Sequence, residues 1–268
     1  MGEKWIMQKR YRINKLNKNW LCAICGDTGS GKSYSALSMG YMIGGAVYTV
    51  FNPKEFLQVL NNPKIKRGDV IIFDEAGVGM SSRDWYKVQN KVLGAVLQTF
   101  RNMNVAVIFT MPNISFIDTQ ARKLFHNFME TAFIDFEKEM ATLKIFDVQV
   151  NNRIDKTYYK YPKFNIGFKE YTLKSIGIPK PSDNAILNYE KKKKAYTKAL
   201  NREALEQITG GKTEDVDIVS EIIKNKKAYL KDYAGRQIID RDRIASDFKV
   251  GIHTATRLKK EVEKALSI

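Results

Sequence analysis

The feature that constrains the fold most is a glycine-rich segment, GDTGSGKSY at residues 26–34, which directly follows an apolar stretch. That stretch, WLCAIC at residues 20–25, predicts a buried strand, and residues 32–43 carry the small and apolar side chains of a packed helix. Glycines at such a junction let backbone N–H groups turn inward around phosphate oxygens, and the following helix directs the positive end of its dipole at them. The segment therefore predicts a phosphate-binding loop.

The pattern G-x-x-x-x-G-K-[ST] in this loop assigns chemistry to individual side chains. Lys32 is placed to reach the β- and γ-phosphate oxygens, and Ser33 can supply a hydroxyl ligand to Mg²⁺. The predicted nucleotide-binding residues are Gly26, Asp27, Thr28, Gly29, Ser30, Gly31, Lys32, Ser33 and Tyr34. We expect the nucleotide to be ATP, because the sequence contains no N-K-x-D-type segment for reading guanine.

Two adjacent carboxylates end a second apolar stretch, VIIFDEAG. Asp74 suits the shell of a magnesium ion, and Glu75 suits orienting or deprotonating a water molecule. The alternative is a strand-end pair that only caps a loop. A small-molecule kinase needs no carboxylate to activate water, so the loop and the acidic pair together favour ATP hydrolysis, with Lys32 and Glu75 as catalytic residues.

Strands of four to eight apolar residues alternate with helical patterns up to about residue 130, which predicts a parallel sheet covered on both faces. The predicted fold class is α/β: a P-loop NTPase with a RecA-like parallel sheet flanked by helices. The predicted domains are a basic N-terminal arm at 1–19, an ATPase domain at 20–209 and a C-terminal domain at 210–268. Within the second we expect an antiparallel β meander at about 130–164 and a basic helix at about 182–208. The third is predicted to be all-α.

Charge and cysteine usage limit the partners and the compartment. The net charge of +16 indicates a polyanionic partner, with nucleic acid first and an anionic membrane surface second. No apolar run approaches the roughly 20 residues of a membrane span, and no signal peptide opens the chain. Cys22 and Cys25 are too few for a disulfide framework, so we expect a cytoplasmic location. Their C-x-x-C spacing is typical of a metal site or a redox site, but on a strand residues i and i+3 face opposite sides.

The order GDTGSGKS, VIIFDEAG and FRNMNVAVIFTMPN resembles the FtsK/HerA superfamily of ring-forming DNA-pumping ATPases. Within that superfamily the chain looks most similar to the Zot-like group of phages, plasmids and archaeal elements, over about residues 20–164. The segments DEAGVGMSSRDWY and TQARKLFHNFMET add to this similarity. The resemblance implies a homo-oligomeric ring, which we expect to be a hexamer, with ATP between subunits and DNA as the partner.

Two further catalytic residues follow from the resemblance. An arginine before the fourth core strand reaches the neighbouring subunit's site in that superfamily, and Arg101 holds the matching position. Arg83 and Arg122 are the alternatives. The superfamily usually ends the fourth strand with a polar sensor, often glutamine. This chain has Thr110 there, with Asn113 as the substitute.

Basic and aromatic residues are interleaved in KTYYKYPKF, so Lys160 and Lys163 are predicted to contact nucleic acid. The alternative for the aromatic residues is ordinary sheet packing. The lysine run EKKKKAY is typical of a solvated helix face, although in a ring it could approach the DNA path. The first twenty residues contain six basic residues and one acidic residue, so the N-terminal arm is either a flexible contact to DNA or a neighbouring subunit, or a solubilising segment.

The tail, DRDRIASDFKVGIHTATRLKKEVEKAL, predicts a helix, a tight turn and a second helix, as in a helix–turn–helix. Apolar residues at 244, 245, 248 and 250 are spaced to pack against those at 255, 258 and 262. The predicted DNA-facing residues are His253, Thr254, Thr256, Arg257 and Lys260. Because residues 212–268 hold thirteen basic and ten acidic residues, the charge does not require DNA, and a protein-interaction module is the alternative.

Three functions are compatible with these patterns. The first is an Mg²⁺-dependent, DNA-stimulated ATPase ring that translocates DNA in conjugative transfer, genome packaging or segregation of a mobile element. The second is an ATP-switched DNA-binding adaptor, such as a helicase loader or partition factor, in which nucleotide controls assembly without processive movement. The third is a motor that acts on protein filaments or coat subunits.

Overall fold

The computed structural model describes residues 2–74, 103–117, 119–166, 168–209, 212–233, 236–248 and 250–266. The chain divides into two compact units, Met1–Tyr196 and Thr197–Ile268. The division falls inside a long helix, Asp183–Thr209, whereas the sequence indicated a boundary at residues 209–210. The sequence placed the domain boundary at the glycines at 210 and 211. The division between the two compact units instead falls between Tyr196 and Thr197, before those glycines.

Five parallel strands form the centre of the first unit. They are β1 (Trp20–Cys25), β2 (Val47–Val50), β3 (Val70–Phe73), β4 (Ala106–Met111) and β5 (Asn127–Asp135). Their order across the sheet is β5-β1-β4-β3-β2, so β4 lies between the strand that precedes the glycine loop and the strand that precedes the acidic pair. The register pairs Cys25 with Met111 and Phe73 with Phe109. The carboxyl ends of β1, β3 and β4 therefore meet at one edge, where open α/β sheets bind their ligands.

An antiparallel extension continues the sheet beyond β5. Strand β6 (Met140–Asn151) pairs with β5, β7 (Lys156–Lys160) and β10 (Ser175–Pro179). Strands β8 (Lys163–Ile166) and β9 (Lys169–Thr172) form a separate hairpin. The predicted antiparallel extension is confirmed, but its first strand, β5, pairs parallel with β1 on its other side.

The described helices that begin in this unit are α1 (Gly2–Asn14), α2 (Lys32–Ile43), α3 (Pro53–Leu60), α4 (Thr119–Arg122) and α5 (Asp183–Thr209). Helix α5 continues past Tyr196 into the second unit. Residues Ile114–Phe116 form a 3₁₀ turn. The start of α3 illustrates local control by sequence. Asn52 caps the helix by accepting a 2.9 Å hydrogen bond from the Glu55 backbone N–H, and Pro53 occupies the first position. None of the described helices is both long and apolar enough to span a membrane.

The core lies on both faces of the sheet, as the continuous apolar strands require. Residues 20, 22 and 24 of β1 face one cluster with α1 and α2, and residues 21, 23 and 25 face the other with α3. Cys22 and Cys25 are thus buried on opposite faces, which confirms the prediction from strand geometry. Burial raises the pKa of both thiols, that of Cys25 to about 12, so neither is reactive as a thiolate at neutral pH.

The prediction of an N-terminal arm at 1–19 is not what the structure shows. Residues 2–14 form α1, and its Trp5, Ile6 and Ile13 side chains are buried in the core of the first unit. The Trp5 ring meets Trp20 of β1 edge to face, with 5.9 Å between centroids. Three large apolar residues on one helix face outweigh the basic residues around them, because burial of each stabilises the fold by about 2 kcal/mol.

The second unit forms its own core from residues 218–266. Its elements are α6 (Lys212–Lys224), α7 (Lys226–Tyr229), β11 (Leu230–Tyr233), β12 (Arg236–Ile239), α8 (Arg241–Asp247) and α9 (Ile252–Leu266). Every apolar residue predicted to join the two last helices lies in this core. The prediction of an all-α domain is wrong, since β11 and β12 pair as an antiparallel hairpin that the helical pattern around it obscured.

Candidate functional site

The glycine loop leaves β1 at the carboxyl edge of the sheet and enters α2. Gly29 and Gly31 have φ angles of 77° and 86°, in the left-handed region that favours glycine. Gly31 is the N-cap of α2. Because glycine has no side chain that could cap the helix, the first backbone N–H groups of α2 remain available to a ligand at the loop. This is the geometry of an anion site at a helix N-terminus.

Gly26 is required for a different reason, close packing. A Cβ at this position would lie 1.9 Å from Thr131 Oγ1 on β5 and 2.8 Å from Ser30 Oγ. The loop therefore rests directly on the first strand of the antiparallel extension. Ser30 Oγ is itself enclosed and has no hydrogen-bond partner among the described residues, which leaves a polar atom directed into the loop.

Lys32 curls back over the loop. Its Nζ donates a 2.5 Å hydrogen bond to the backbone carbonyl oxygen of Asp27. This contact holds the ammonium group over the glycine loop. Thr28 and Gly29, which belong to the same loop, are exposed. Six of the predicted nucleotide-binding residues line one cavity: Thr28, Gly29, Gly31, Lys32, Ser33 and Tyr34. Gly26, Asp27 and Ser30 are not among the residues that line it.

Asp74 lies at the same edge of the sheet, immediately after β3, which is separated from β1 by β4. Its side chain is fully buried, and its Oδ1 accepts a 2.6 Å hydrogen bond from Thr110 Oγ1 at the end of β4. Thr110, the predicted sensor, is therefore in direct contact with the predicted magnesium carboxylate. The substitute, Asn113, instead caps the next turn by accepting a hydrogen bond from the Ser115 backbone N–H.

Helix α5 supplies two site residues that the sequence did not indicate. The Tyr189 hydroxyl donates a 2.6 Å hydrogen bond to Asp74 Oδ2, and Lys193 Nζ lies 3.5 Å from the same oxygen. The Ser33 hydroxyl also interacts with this phenol. Burial and the neighbouring Asp74 carboxylate raise the pKa of Tyr189 above its usual range, so the phenol stays protonated and remains a donor.

Further contacts hold α5 across the carboxyl edge of the sheet. Lys192 Nζ donates to the backbone carbonyl oxygen of Thr49, and Tyr34 donates a 3.1 Å hydrogen bond to Glu190. The rings of Phe51 and Tyr196 stack with 5.2 Å between centroids. The lysine run is therefore not simply a solvated face. The available signal was the spacing of residues 189, 193 and 196, which places two aromatic rings and one lysine on one side of a helix.

These residues fit a magnesium ion. Ser33 and Asp74 approach the same phenol oxygen, so a hydroxyl and a carboxylate face a single small volume, and hard divalent cations take oxygen ligands of this kind. The positive charge of Lys193 near Asp74 shows that the buried carboxylate is compensated by a cation here.

The structure does not test three of the predicted residues. Glu75, Arg101 and the alternative Arg83 lie outside the described residues. The other alternative, Arg122, uses its Nε to donate a 2.8 Å hydrogen bond to the Ile117 carbonyl oxygen within its own chain. The roles of Glu75 and Arg101 stay predictions.

Of the predicted nucleic-acid residues in the first unit, neither Lys160 nor Lys163 lines the cavity at the glycine loop. Lys160 and Lys163 are exposed, and Lys163 pairs with Glu170 at 2.7 Å. Tyr159 and Tyr161 pack on other rings of the sheet, which favours sheet packing for these aromatic residues. In the second unit His253, Arg257 and Lys260 are exposed on α9, and Thr254 and Thr256 are half-buried.

Comparison with known proteins gives one family and several solved structures. The structure of the N-terminal domain of zonular occludens toxin from Neisseria meningitidis matches at 16% identity with a TM-score of 0.33, over 53% of this chain and 93% of that chain. The DNA-packaging ATPase B204 from Sulfolobus Turreted Icosahedral Virus matches at 12% identity with a TM-score of 0.29, over 55% of this chain and 98% of that chain. The genome packaging NTPase B204 from Sulfolobus turreted icosahedral virus 2, in complex with ATP-gammaS, matches at 10% identity with a TM-score of 0.31, over 54% and 98%.

No curated protein matches the sequence significantly. The model of the zonular occludens toxin (Zot) family matches residues 52–200, which are 149 of the 268 residues and include Asp74, Thr110 and Tyr189. With the strand order β5-β1-β4-β3-β2 and a glycine loop after β1, the chain has the P-loop NTPase fold and belongs to the Zot family.

Proposed function

We propose that this Zot-family chain is an Mg²⁺-dependent ATPase that assembles as a ring, expected to contain six subunits, and translocates DNA. The observation that carries the proposal is the convergence of Lys32, Ser33 and Asp74 from two strand ends at one edge of the sheet. A loop for phosphates beside a buried, oxygen-rich cation position is what phosphoryl transfer requires.

The chemistry assigned to each residue follows from its charge and position. Lys32 neutralises charge on the β- and γ-phosphates, and the loop N–H groups hold their oxygens. Bound Mg²⁺, held by Ser33 and Asp74, would lower the charge repulsion that a nucleophile meets at the γ-phosphate. Glu75 accepts a proton from the attacking water as the bond from the γ-phosphorus to the ADP oxygen breaks, which yields ADP and phosphate.

Thr110 orients the Asp74 carboxylate for this chemistry. Its hydrogen bond to Asp74 fixes one carboxylate oxygen and leaves the other facing Tyr189 and Lys193. A buried carboxylate with a fixed rotamer is pre-organised for a cation. Because Thr110 is the penultimate residue of β4, a change at the γ-phosphate side of the site would reach a core strand directly.

The DNA part of the proposal depends on charge and on the tail. The chain carries a net charge of +16, and residues 154–196 contain ten lysines against four acidic residues. Two of those lysines, Lys192 and Lys193, are engaged at the sheet edge. The stronger candidates for phosphate contacts are Lys160, the exposed face of α9, and Lys163, whose pairing with Glu170 lies at the surface. Arg101 is assigned to the neighbouring subunit's site.

A second candidate function is an ATP-switched DNA-binding adaptor. The observation that favours it is the separate core of the second unit, where α9 keeps His253, Arg257 and Lys260 exposed while Ala255, Leu258 and Val262 are buried. Such a unit can bind DNA without any movement along it. The two functions differ in whether turnover of ATP is strongly stimulated by duplex DNA.

The experiment that tests the proposal measures ATP turnover with and without duplex DNA, together with mass in solution. Wild type should form an ATP-dependent ring with DNA-stimulated turnover, and both Glu75→Gln and Arg101→Ala should be inactive. Mixing the two inactive variants should recover part of the turnover, because some interfaces then combine an intact Glu75 with an intact Arg101. Slow, DNA-indifferent turnover by a monomer would contradict the ring translocase.

A further inference from the structure

The glycine loop borders a cavity of about 680 Å³ that extends well beyond the phosphate site. One end is formed by the loop and the first turn of α2, with Lys32 and Ser33. The other end is formed by the β5–β6 turn and the end of β10. Its side chains are predominantly apolar: Ile134, Phe136, Met140, Ala141, Ile178 and Pro179. A triphosphate held by the glycine loop would occupy the first end, so the second end has room for a further part of the same ligand.

The strand order determines which part of a nucleotide reaches the apolar end. Asp74 follows β3, which lies on one side of β1 with β4 between them. The β5–β6 hairpin lies on the opposite side of β1. In the proposed ATPase, a terminal phosphate directed toward Asp74 would place the nucleoside on the hairpin side of the loop.

The loop and the hairpin are in direct contact, so the two ends of the cavity are continuous. A Cβ at Gly31 would lie 3.3 Å from Ile134 Cδ1 and 3.6 Å from Ala141 Cβ. Gly26 likewise packs on Thr131 of β5. A ligand that runs from the loop N–H groups onto the hairpin therefore does not cross open solvent.

The apolar end has the chemistry of a base-binding surface. Phe136 is 83% exposed, which is unusual for a large aromatic side chain beside a cavity. Ile178 is buried in the core and presents a rigid wall, and Pro179 follows it. The rim is polar, because Lys180 and Glu139 form a 2.6 Å ion pair across β10 and the hairpin turn.

We propose that this apolar end is the nucleoside subsite, in which the Phe136 ring stacks on the purine base of the bound nucleotide. The inference rests on the proposed function and adds to it that affinity depends on the base as well as on the phosphates. An aromatic ring that stacks on a base contributes roughly tenfold or more to affinity.

The test compares binding of ADP and of inorganic pyrophosphate to the full chain by calorimetry, both in excess Mg²⁺. Wild type should bind ADP at least tenfold more tightly than pyrophosphate. Phe136→Ala should weaken ADP binding about tenfold and leave pyrophosphate binding unchanged. Phe136→Trp should restore ADP binding. The matched control is Phe133→Ala, since Phe133 is an exposed phenylalanine on the same hairpin that does not line the cavity.

Each of the following results would contradict the proposed nucleoside subsite. Equal affinity of wild type for ADP and pyrophosphate would show that the base makes no contact. An equal loss of both ligands in Phe136→Ala, or a loss of ADP binding in Phe133→Ala, would show that the hairpin acts on the loop instead. A wild type that binds neither ligand would refute the proposed ATPase itself, and the subsite with it.

Discussion

The Tyr189 hydroxyl donates a 2.6 Å hydrogen bond to Asp74 Oδ2 across 115 positions of sequence. With Thr110 on the other carboxylate oxygen and Lys193 at 3.5 Å, it gives the buried Asp74 two neutral donors and one cation. Such a network stabilises a charge that burial alone would disfavour. Helix α5 thereby contributes to the candidate nucleotide site, although it follows the glycine loop by some 150 residues.

Tyr189→Phe should therefore lower the stability of the nucleotide-free protein. Loss of a buried donor to a carboxylate is expected to reduce the free energy of unfolding by about 2 kcal/mol, measured by urea denaturation. Tyr34→Phe is the matched control, because its 3.1 Å bond to Glu190 is nearer the surface and should cost about 0.5 kcal/mol. With Mg²⁺ and ATP present the Tyr189→Phe deficit should shrink, because a cation replaces the lost partner. Equal effects of the two substitutions would refute the role of Tyr189.

Gly26→Ala should disrupt the loop far more than Gly29→Ala. The new Cβ at position 26 would lie 1.9 Å from Thr131 Oγ1, whereas nothing lies within 4 Å of one at position 29. We expect Gly26→Ala to cost about 2 kcal/mol or more in unfolding free energy and to abolish nucleotide binding, and Gly29→Ala to cost about 1 kcal/mol. The double variant Gly26→Ala/Thr131→Ala should recover part of the loss. Thermal unfolding that ranks Gly29→Ala as the worse variant would contradict the packing described here.

The pH dependence of stability should be dominated near pH 6 by His126. Burial lowers the pKa of His126 to about 4, and its Nδ1 accepts a 2.9 Å hydrogen bond from the Leu21 backbone N–H. An unfolded histidine takes up its proton near pH 6.5, while the folded one does so only near pH 4. The unfolded state therefore binds more protons in this window, and stability falls as the pH is lowered through it.

Between pH 7.5 and 5.5 the free energy of unfolding should fall by about 1 kcal/mol. His126→Gln should remove this slope in urea titrations. The control is His253→Gln, which alters the other histidine of the chain, an exposed one on α9, and should leave the slope in place. If the dependence of stability on pH survives in His126→Gln and is lost in His253→Gln, the titrating group is His253 and this account is contradicted.

The second unit should bind DNA through the exposed face of α9. Replacing Arg257 and Lys260 by alanine should weaken duplex binding and reduce the slope of log affinity against log salt by about 2, with little change in melting temperature. Alanine at Lys226 and Lys227, two exposed lysines of α7, removes the same charge elsewhere in the unit. If this control pair weakens binding equally, DNA contact is a matter of net charge and not of α9.

The sheet and the loop could be predicted from sequence because their signals are local. Continuous apolar runs of four to six residues specify buried parallel strands, and the glycine loop has a fixed spacing between a strand and a helix. Asp74 follows from the same rule, since a strand that ends in a carboxylate places it at the ligand edge. Even the opposite faces of Cys22 and Cys25 follow from the two-residue period of a strand.

What sequence did not reveal depends on distant pairing or on a weak local signal. The contact of Tyr189 with Asp74 requires α5 to lie across the sheet edge, which no short window specifies. In α1 the burial of Trp5, Ile6 and Ile13 was hidden by surrounding basic residues. The hairpin β11–β12 has four residues in each strand and lies between helices, so its alternation was too short to recognise.

The measurement that tests the central proposal most directly is displacement of a third DNA strand from a duplex carrying a triplex block. Wild type with ATP and Mg²⁺ should displace the strand, and displacement should be lost with Lys32→Ala or Glu75→Gln. A protein that hydrolyses ATP faster on DNA yet leaves the triplex intact would contradict translocation, and the chain would then be an ATP-switched adaptor.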